Sequence, residues 1–247
     1  MEALVERPPA GRVFETEVRI RFGDCEPGGR LRLDALARIL QDAGNDDFDD
    51  AGLDPSSPWV ARRSVVQAGG WPGLGDRVAL ATWCGGMGGR WAERRTTLRT
   101  GAGAVEVATL WVHVDAAGRP ARLPEWFVRT YGPAAGGRSV SSRLRIGPPP
   151  GGLPGRPWQV RVADLDVLGH VNNSVLWAPV EEELADRKAT PSSVELEFLA
   201  PVLAGDDVAR VADPADGGRF SMWLTVEDQV RVQTVVETVS DADQGTR

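Results

Sequence analysis

Apolar and polar residues alternate along Val18-Arg19-Ile20-Arg21-Phe22, the period of a half-buried strand, and the chain then turns through Gly23-Asp24-Cys25-Glu26-Pro27-Gly28-Gly29. Leu36, Ile39, Leu40 and Ala43 follow at i, i+3, i+4 and i+7, the apolar stripe of a helix that Asp34 can cap and Gly44 or Gly52 can end. Beyond it Val65-Val66-Gln67, Val78 to Cys84, Trp91 to Thr100 and the alternating Val105, Val107, Leu110, Val112 and Val114 read as strands parted by Gly-rich turns. The predicted order is one strand, one helix, then four strands.

That order occurs twice. Gln159-Val160-Arg161-Val162 predicts a strand, Asp164 to Gly169 a turn, and Leu176, Val180 and Leu184 one face of a second helix, which Pro179 should kink. Val194, Leu196 and Phe198 alternate with Glu195 and Glu197, and further strands fit Asp207 to Val211, Phe220 to Glu227 and Val230 to Val239. Both copies place a proline and then Gly-Asp ahead of a strand, as Pro72 with Gly75-Asp76 and Pro201 with Gly205-Asp206. Between Gly147 and Pro157 nine of eleven residues are Gly or Pro, a density that reads as linker. The expected organisation is a repeat over residues 12–130, a linker over 131–157, and a second repeat over 158–240 that carries the candidate site. One long helix against an antiparallel sheet, twice, is an α+β architecture.

Composition narrows the function classes. In 247 residues, 42% hydrophobic with a net charge of −7, there is enough apolar material for a core, and the acidic total argues against nucleic acid as a partner, which needs a concentrated basic face. No stretch approaches the roughly 20 apolar residues of a membrane span, and the first nine residues lack the basic and apolar regions of a leader, which predicts a cytoplasmic protein. Two cysteines, Cys25 and Cys84, are too few for a disulfide framework or a structural zinc site. The two histidines, His113 and His170, exclude an HExxH site, and the acidic run 45–50 lacks calcium-loop spacing, so no metal is expected.

The most informative segment is Asp164-Leu165-Asp166-Val167-Leu168-Gly169-His170-Val171-Asn172-Asn173, which resembles the DxDxxGHVNN signature of hotdog-fold thioesterases. The first half, through Arg32-Leu33, Gln41-Asp42-Ala43-Gly44-Asn45, Trp59-Val60, Gly75-Asp76-Arg77-Val78 and Arg119-Pro120-Ala121-Arg122-Leu123-Pro124, is similar to the N-terminal repeat of acyl-acyl-carrier-protein thioesterases. The resemblance spans roughly residues 12 to 240. It implies a tandem double hotdog, no cofactor, and a hydrolase that releases fatty acid from acyl carrier protein. It also implies that Asp166 and His170 are the catalytic aspartate and histidine, with Asn172 and Asn173 at the start of the helix. The chain departs from the family at Leu168, where a catalytic asparagine is usual, at Leu176 in place of a tyrosine, and at Pro201-Val202, where plant members have a Glu-Cys pair. Pairing of two repeats can satisfy the hotdog dimer contact within one chain, which leaves a monomer or a homodimer.

Thioester hydrolysis requires an activated water or a carboxylate nucleophile, a group that polarises the carbonyl, and an apolar site. Asp166 can serve as base or nucleophile, His170 can orient water or stabilise charge, and backbone N–H groups near Asn172 and Asn173 can form an oxyanion hole. The same Asp, Gly and Asn residues are also ordinary turn and capping residues. Counted along the two turns, Asp24 aligns with Asp166 and Gly28 with His170, so the first repeat lacks the histidine and one site per chain is expected. Arg90, Arg94, Arg95 and Arg99, with Arg62-Arg63, are the expected docking patch for an acidic carrier, Arg95 and Arg99 sharing one face of a strand. Glu181-Glu182-Glu183 reads as a solvated helix face from which one carboxylate can turn inward, Gly85 to Arg90 as a hairpin, and the nine tryptophans as core with some lining an acyl tunnel. The competing readings are an acyl-CoA thioesterase and a non-catalytic module that binds acyl thioesters.

Overall fold

The computed structural model describes residue 4 and residues 6–53, 58–214 and 218–239. Residues 1–3, 5, 54–57, 215–217 and 240–247, which include part of the start inspected for a leader and stretches of both expected repeats, lie outside the described residues. The chain divides into two units, one formed by residues 1–31 and 38–143 and the other by residues 32–37 and 144–247.

In the first unit the elements run β1 (Val13–Arg19), α1 (Leu33–Asp50, of which residues 33–37 belong to the second unit), β2 (Trp59–Ala68), β3 (Arg77–Met87), β4 (Trp91–Thr100), β5 (Gly103–His113) and α2 (Glu125–Ala135). Its strands are antiparallel in the order β1-β3-β4-β5-β2. β1 lies earlier than the alternation predicts. An Asp24 carboxylate oxygen accepts the Arg21 N–H at 2.8 Å, which closes a one-turn 3-10 helix over Phe22–Asp24 and ends the ladder; Phe22 is left 88% exposed.

The second unit repeats the plan with β6 (Gly155–Trp158), α3 (Ala178–Arg187), β7 (Thr190–Phe198), β8 (Val208–Ala212), β9 (Arg219–Val226) and β10 (Gln229–Val239). Its antiparallel order, β6-β8-β9-β10-β7, is the same permutation of strands as in the first unit. β6 falls inside the Gly/Pro-rich stretch rather than at 159–162. It pairs with β8 and sits at the end of the order, the position where Pro157 removes no needed ladder bond.

The expected linker is therefore shortened at both ends, by α2 through Ala135 and by β6 from Gly155. What remains is held by side chains. Arg63 donates to the carbonyls of Arg143 at 3.0 Å and Ser141 at 3.5 Å, and Trp91 Nε1 donates to that of Val140 at 2.8 Å. In the second unit Glu197, with no exposed surface, accepts the N–H groups of Arg145 at 2.6 Å and Ile146 at 3.3 Å.

Pro179 falls at the start of its α-helix rather than inside it. Residues Val175–Trp177 form a 3-10 turn that runs into α3, so the proline lies in the first α-helical turn, where its missing N–H has no intrahelical partner to lose. The acidic run of α3 is only partly solvated: Glu183 is buried, and Glu181 accepts the Leu33 N–H at the start of α1 at 2.6 Å. Arg210 on β8, with a side chain 8% exposed, reaches Glu182 at 3.2 Å, Asp186 at 3.0 Å and Glu183 at 3.7 Å. Arg187 donates to Glu183 at 2.8 Å and lies 4.3 Å from the Phe220 ring on β9. Among the described residues no helix is long and apolar enough to cross a membrane.

Removing Arg210 leaves buried Glu183 with less compensation. Arg210→Ala is expected to cost about 3 kcal/mol in a urea denaturation, whereas Arg156→Ala, which breaks the exposed pair with Asp186, costs less than about 1 kcal/mol.

Candidate active site

The signature segment folds as a tight antiparallel turn ahead of the helix. Leu165 and Val171 form a bridge, the Asp166 N–H donates to the His170 carbonyl at 2.8 Å, and the Gly169 N–H returns to the Asp166 carbonyl at 3.0 Å. The side chain completes the closure: Asp166 Oδ1 accepts the N–H groups of Leu168 at 2.8 Å and His170 at 3.2 Å. Gly169 has φ of +78°, the left-handed conformation that makes this reversal possible at low cost.

Three further contacts fix the turn within the second unit. Val171 N–H donates to Val202 O at 2.9 Å, and His170 bridges to Leu203, whose N–H is held by Asp206 at 2.8 Å. Asp164, 2% exposed, accepts the Arg161 N–H at 2.8 Å and its guanidinium at 2.7 Å. The Asp166 and His170 side chains are both half-buried. Among the described residues, Asp166 Oδ2 and the His170 ring make no hydrogen bond.

The asparagines behave differently from the expected pair of oxyanion donors. The Asn172 N–H already donates to Asp164 O at 2.8 Å, and its side-chain oxygen accepts Ser174 N–H at 2.9 Å and Ser174 Oγ at 2.8 Å, so Asn172 caps the following turn. The Asn173 N–H makes no hydrogen bond among the described residues. Of the departures from the family pattern, Leu168 is 74% exposed and Val167 fully so, while Leu176 and Val202 are core residues.

The first unit contains the same turn, in a different register from the one the sequence count suggests. Glu26 accepts Gly28 N–H at 2.7 Å and Arg30 N–H at 2.8 Å, Glu26 N–H donates to Arg30 O, Cys25 bridges to Leu31, and Leu31 N–H reaches Pro72 O. The equivalences are therefore Asp24 with Asp164, Glu26 with Asp166 and Arg30 with His170. The first repeat keeps a carboxylate, has arginine in place of the histidine, and places Arg30 at 5.3 Å from the Trp71 ring.

The first unit also holds a cavity of about 740 Å³, counting its open mouth, bounded by the rings of Phe48, Trp59, Trp83, Trp111, Phe127 and Tyr131. Centroid separations of 4.7 Å for Trp59 with Phe127 and 5.8 Å for Phe48 with Tyr131 tie α2 to this wall. Its polar edge is Arg94, which donates to buried Asp47 at 2.6 Å, while Arg12 takes the other Asp47 oxygen at 2.6 Å. Burial and the Asp47 charge push the Tyr131 hydroxyl up to about 12, and burial pushes the Cys84 thiol up to about 11, so both stay protonated at neutral pH. α2 and its cavity were missed in the sequence, although Pro124 before it, Gly136-Gly137 after it and aromatics at 127 and 131 are the signals of a short helix with one apolar face.

The docking arginines do not form the expected patch. Arg63 is 6% exposed and bound to the 141–143 backbone, and Arg95 is 7% exposed and paired with Glu93 at 2.8 Å; Arg62 is half-buried and Arg99 exposed.

Residues 11–131 match the Acyl-ACP thioesterase N-terminal domain and residues 155–245 the Acyl-ACP thioesterase C-terminal domain. The chain belongs to the acyl-ACP thioesterase family. It is a thioester hydrolase with two hotdog repeats. An uncharacterised protein of Mycobacterium tuberculosis strain H37Rv is 29% identical over 239 residues, 95% of each chain. The fold is similar to that of a 12:0-ACP thioesterase from Umbellularia californica, with a TM-score of 0.79, 19% identity and coverage of 92% of this chain and 97% of that one. An acyl-ACP thioesterase from Bacteroides thetaiotaomicron superposes with a TM-score of 0.77, 15% identity and coverage of 92% and 98%.

Gly169→Ala tests the turn that carries the candidate carboxylate and imidazole in this thioesterase. A Cβ there meets no atom within 4 Å, so the cost is conformational alone. The expected loss is about 1 kcal/mol of stability by denaturant titration.

Proposed function

We propose that this thioesterase hydrolyses fatty acyl-acyl carrier protein to free acid and carrier thiol, with Asp166 and His170 as its catalytic groups. The observation that carries the reading is the turn itself. It pins a carboxylate and an imidazole four residues apart through their own backbones and leaves Asp166 Oδ2 and the imidazole uncommitted. Asp166 Oδ2 takes a proton from water as the water oxygen adds to the thioester carbonyl. His170 orients that water and gives the departing sulfur a proton that Asp166 then replaces, so both groups end as they began. One C–O bond forms, the C–S bond breaks, and water and thioester become carboxylic acid and thiol. The Asn173 N–H is the donor available to the carbonyl oxygen as charge develops there.

Because Asp166 Oδ1 also closes the turn, Asp166→Ala confounds chemistry with folding. Asp166→Asn keeps the amide oxygen as acceptor and removes the base. Asp166→Asn and His170→Ala are each expected to lower kcat/KM for thiol release by at least ~100-fold, with circular dichroism melting close to that of the parent. Activity within a few-fold of the parent removes Asp166 or His170 from the assignment.

Carrier docking then falls to the exposed arginines, Arg99 and Arg90. Raising salt, or introducing Arg99→Glu, is expected to depress kcat/KM on acyl carrier protein several-fold while an acyl-pantetheine substrate of the same chain length shows no such loss. Equal rates on acyl-CoA and on the carrier-bound substrate, both insensitive to salt, indicate the acyl-CoA reading.

A further inference from the structure

The first strand of the first unit has an open edge. β1 pairs with β3 alone, and Ile20 continues that ladder by donating to Asp76 O at 2.9 Å and accepting the Gly75 N–H at 3.1 Å. In an antiparallel pair every second residue turns both its N–H and its C=O to the partner. Phe14, Thr16 and Val18 share the parity of Ile20 and face β3, so Glu15, Glu17 and Arg19 turn theirs to the open side, where no described residue hydrogen-bonds to them. The side chains of Glu15, Glu17, Arg19 and the extended Arg21 are all exposed, and alternation puts them on one face. Exposed edges are commonly guarded by shortness, by proline or by charges that repel a second strand. β6, at the end of the second unit's order, has that form, with four residues that include Arg156 and Pro157. β1 has seven residues and no proline, and its exposed charges run Glu, Glu, Arg, Arg through position 21, a series complementary to itself when reversed.

We propose that two copies of the chain associate through β1, edge to edge and antiparallel, about a two-fold axis at Val18. Glu17 of each copy then stands directly opposite Arg19 of the other, and Glu15 opposite Arg21, while Val18 meets Val18 on the other face. Moving the axis by one residue sets Glu17 against Glu17 or Arg19 against Arg19. Moving it by two sets Glu15 against Glu17 or Arg19 against Arg21, so one register alone joins only opposite charges. In that register the backbones of Glu17 and Arg19 exchange four hydrogen bonds, and the ladder ends at Arg21, whose N–H is already held by Asp24. Arg19 has no ion pair among the described residues, and Glu15 with Arg7 and Glu17 with Arg77 form exposed pairs weak enough to rearrange. A contact of one strand edge from each copy belongs to the small, salt-dependent class of interfaces.

The test is analytical ultracentrifugation of the full chain from about 1 to 300 µM, at about 50 mM and about 500 mM salt. A reversible monomer–dimer equilibrium is expected at low salt, with a Kd that rises several-fold at high salt. Glu17→Arg and Arg19→Glu each set like charges opposite one another twice, and each is expected to raise Kd at least about tenfold. The double variant exchanges the two charges and should return Kd to within a few-fold of the parent, and an equimolar mixture of the two single variants should form the mixed dimer. A monomer throughout the range overturns the inference. So does a dimer that neither single variant weakens, since it uses another face, and so does a loss that neither the double variant nor the mixture restores. Should the double variant fail to fold by circular dichroism, the mixture decides.

Discussion

Every backbone N–H and C=O in the turn ahead of a hotdog helix must find a partner without a regular ladder to supply one, and side-chain carboxylates meet that requirement here. Asp24 and Asp164 each accept an arginine N–H, at positions 21 and 161. Glu26 and Asp166 each accept two N–H groups across the reversal, and Asp76 and Asp206 each close the loop beside it. Three acids serve each repeat in the same way, so the turn recurs in both although a histidine stands in only one. Closing the turn uses the first oxygen of Asp166; among the described residues the second accepts no hydrogen bond.

Buried charge is the second organising feature. Asp47, 1% exposed, stands between Arg12 and Arg94; Glu183 stands between Arg187 and Arg210; Glu197 receives two backbone N–H groups and Gln233 Nε2 at 2.6 Å. Each of these acids joins parts of the chain far apart in sequence. Against well-packed apolar residues such networks add little net stability, but breaking one leaves a stranded charge, so they fix one arrangement over near alternatives. The arginines that the sequence offers as a surface patch are partly consumed this way: Arg63 is committed to the backbone at 141–143 and Arg95 to Glu93. Charge counted along a sequence does not reveal which charges face solvent.

The sequence determined what depends on neighbours in the chain. Alternation and the 3-4 spacing place α1 and most strands, and the ten residues from Asp164 to Asn173 name the family because a tight turn and its capping chemistry are written locally. Register along a strand edge and the fate of long side chains are not local. β1 and β6 shift because an aspartate closes a 3-10 turn after each, Pro179 is harmless because a 3-10 segment precedes it, and Glu26 rather than Asp24 corresponds to Asp166 because the backbone pairing sets the alignment. The aromatic cavity is the clearest case. Phe48, Trp59, Trp83, Trp111, Phe127 and Tyr131 come from α1, β2, β3, β5 and α2, so only the packing of those elements brings them together. Burial and partnership are sums over contacts between distant segments, and no window of sequence contains them.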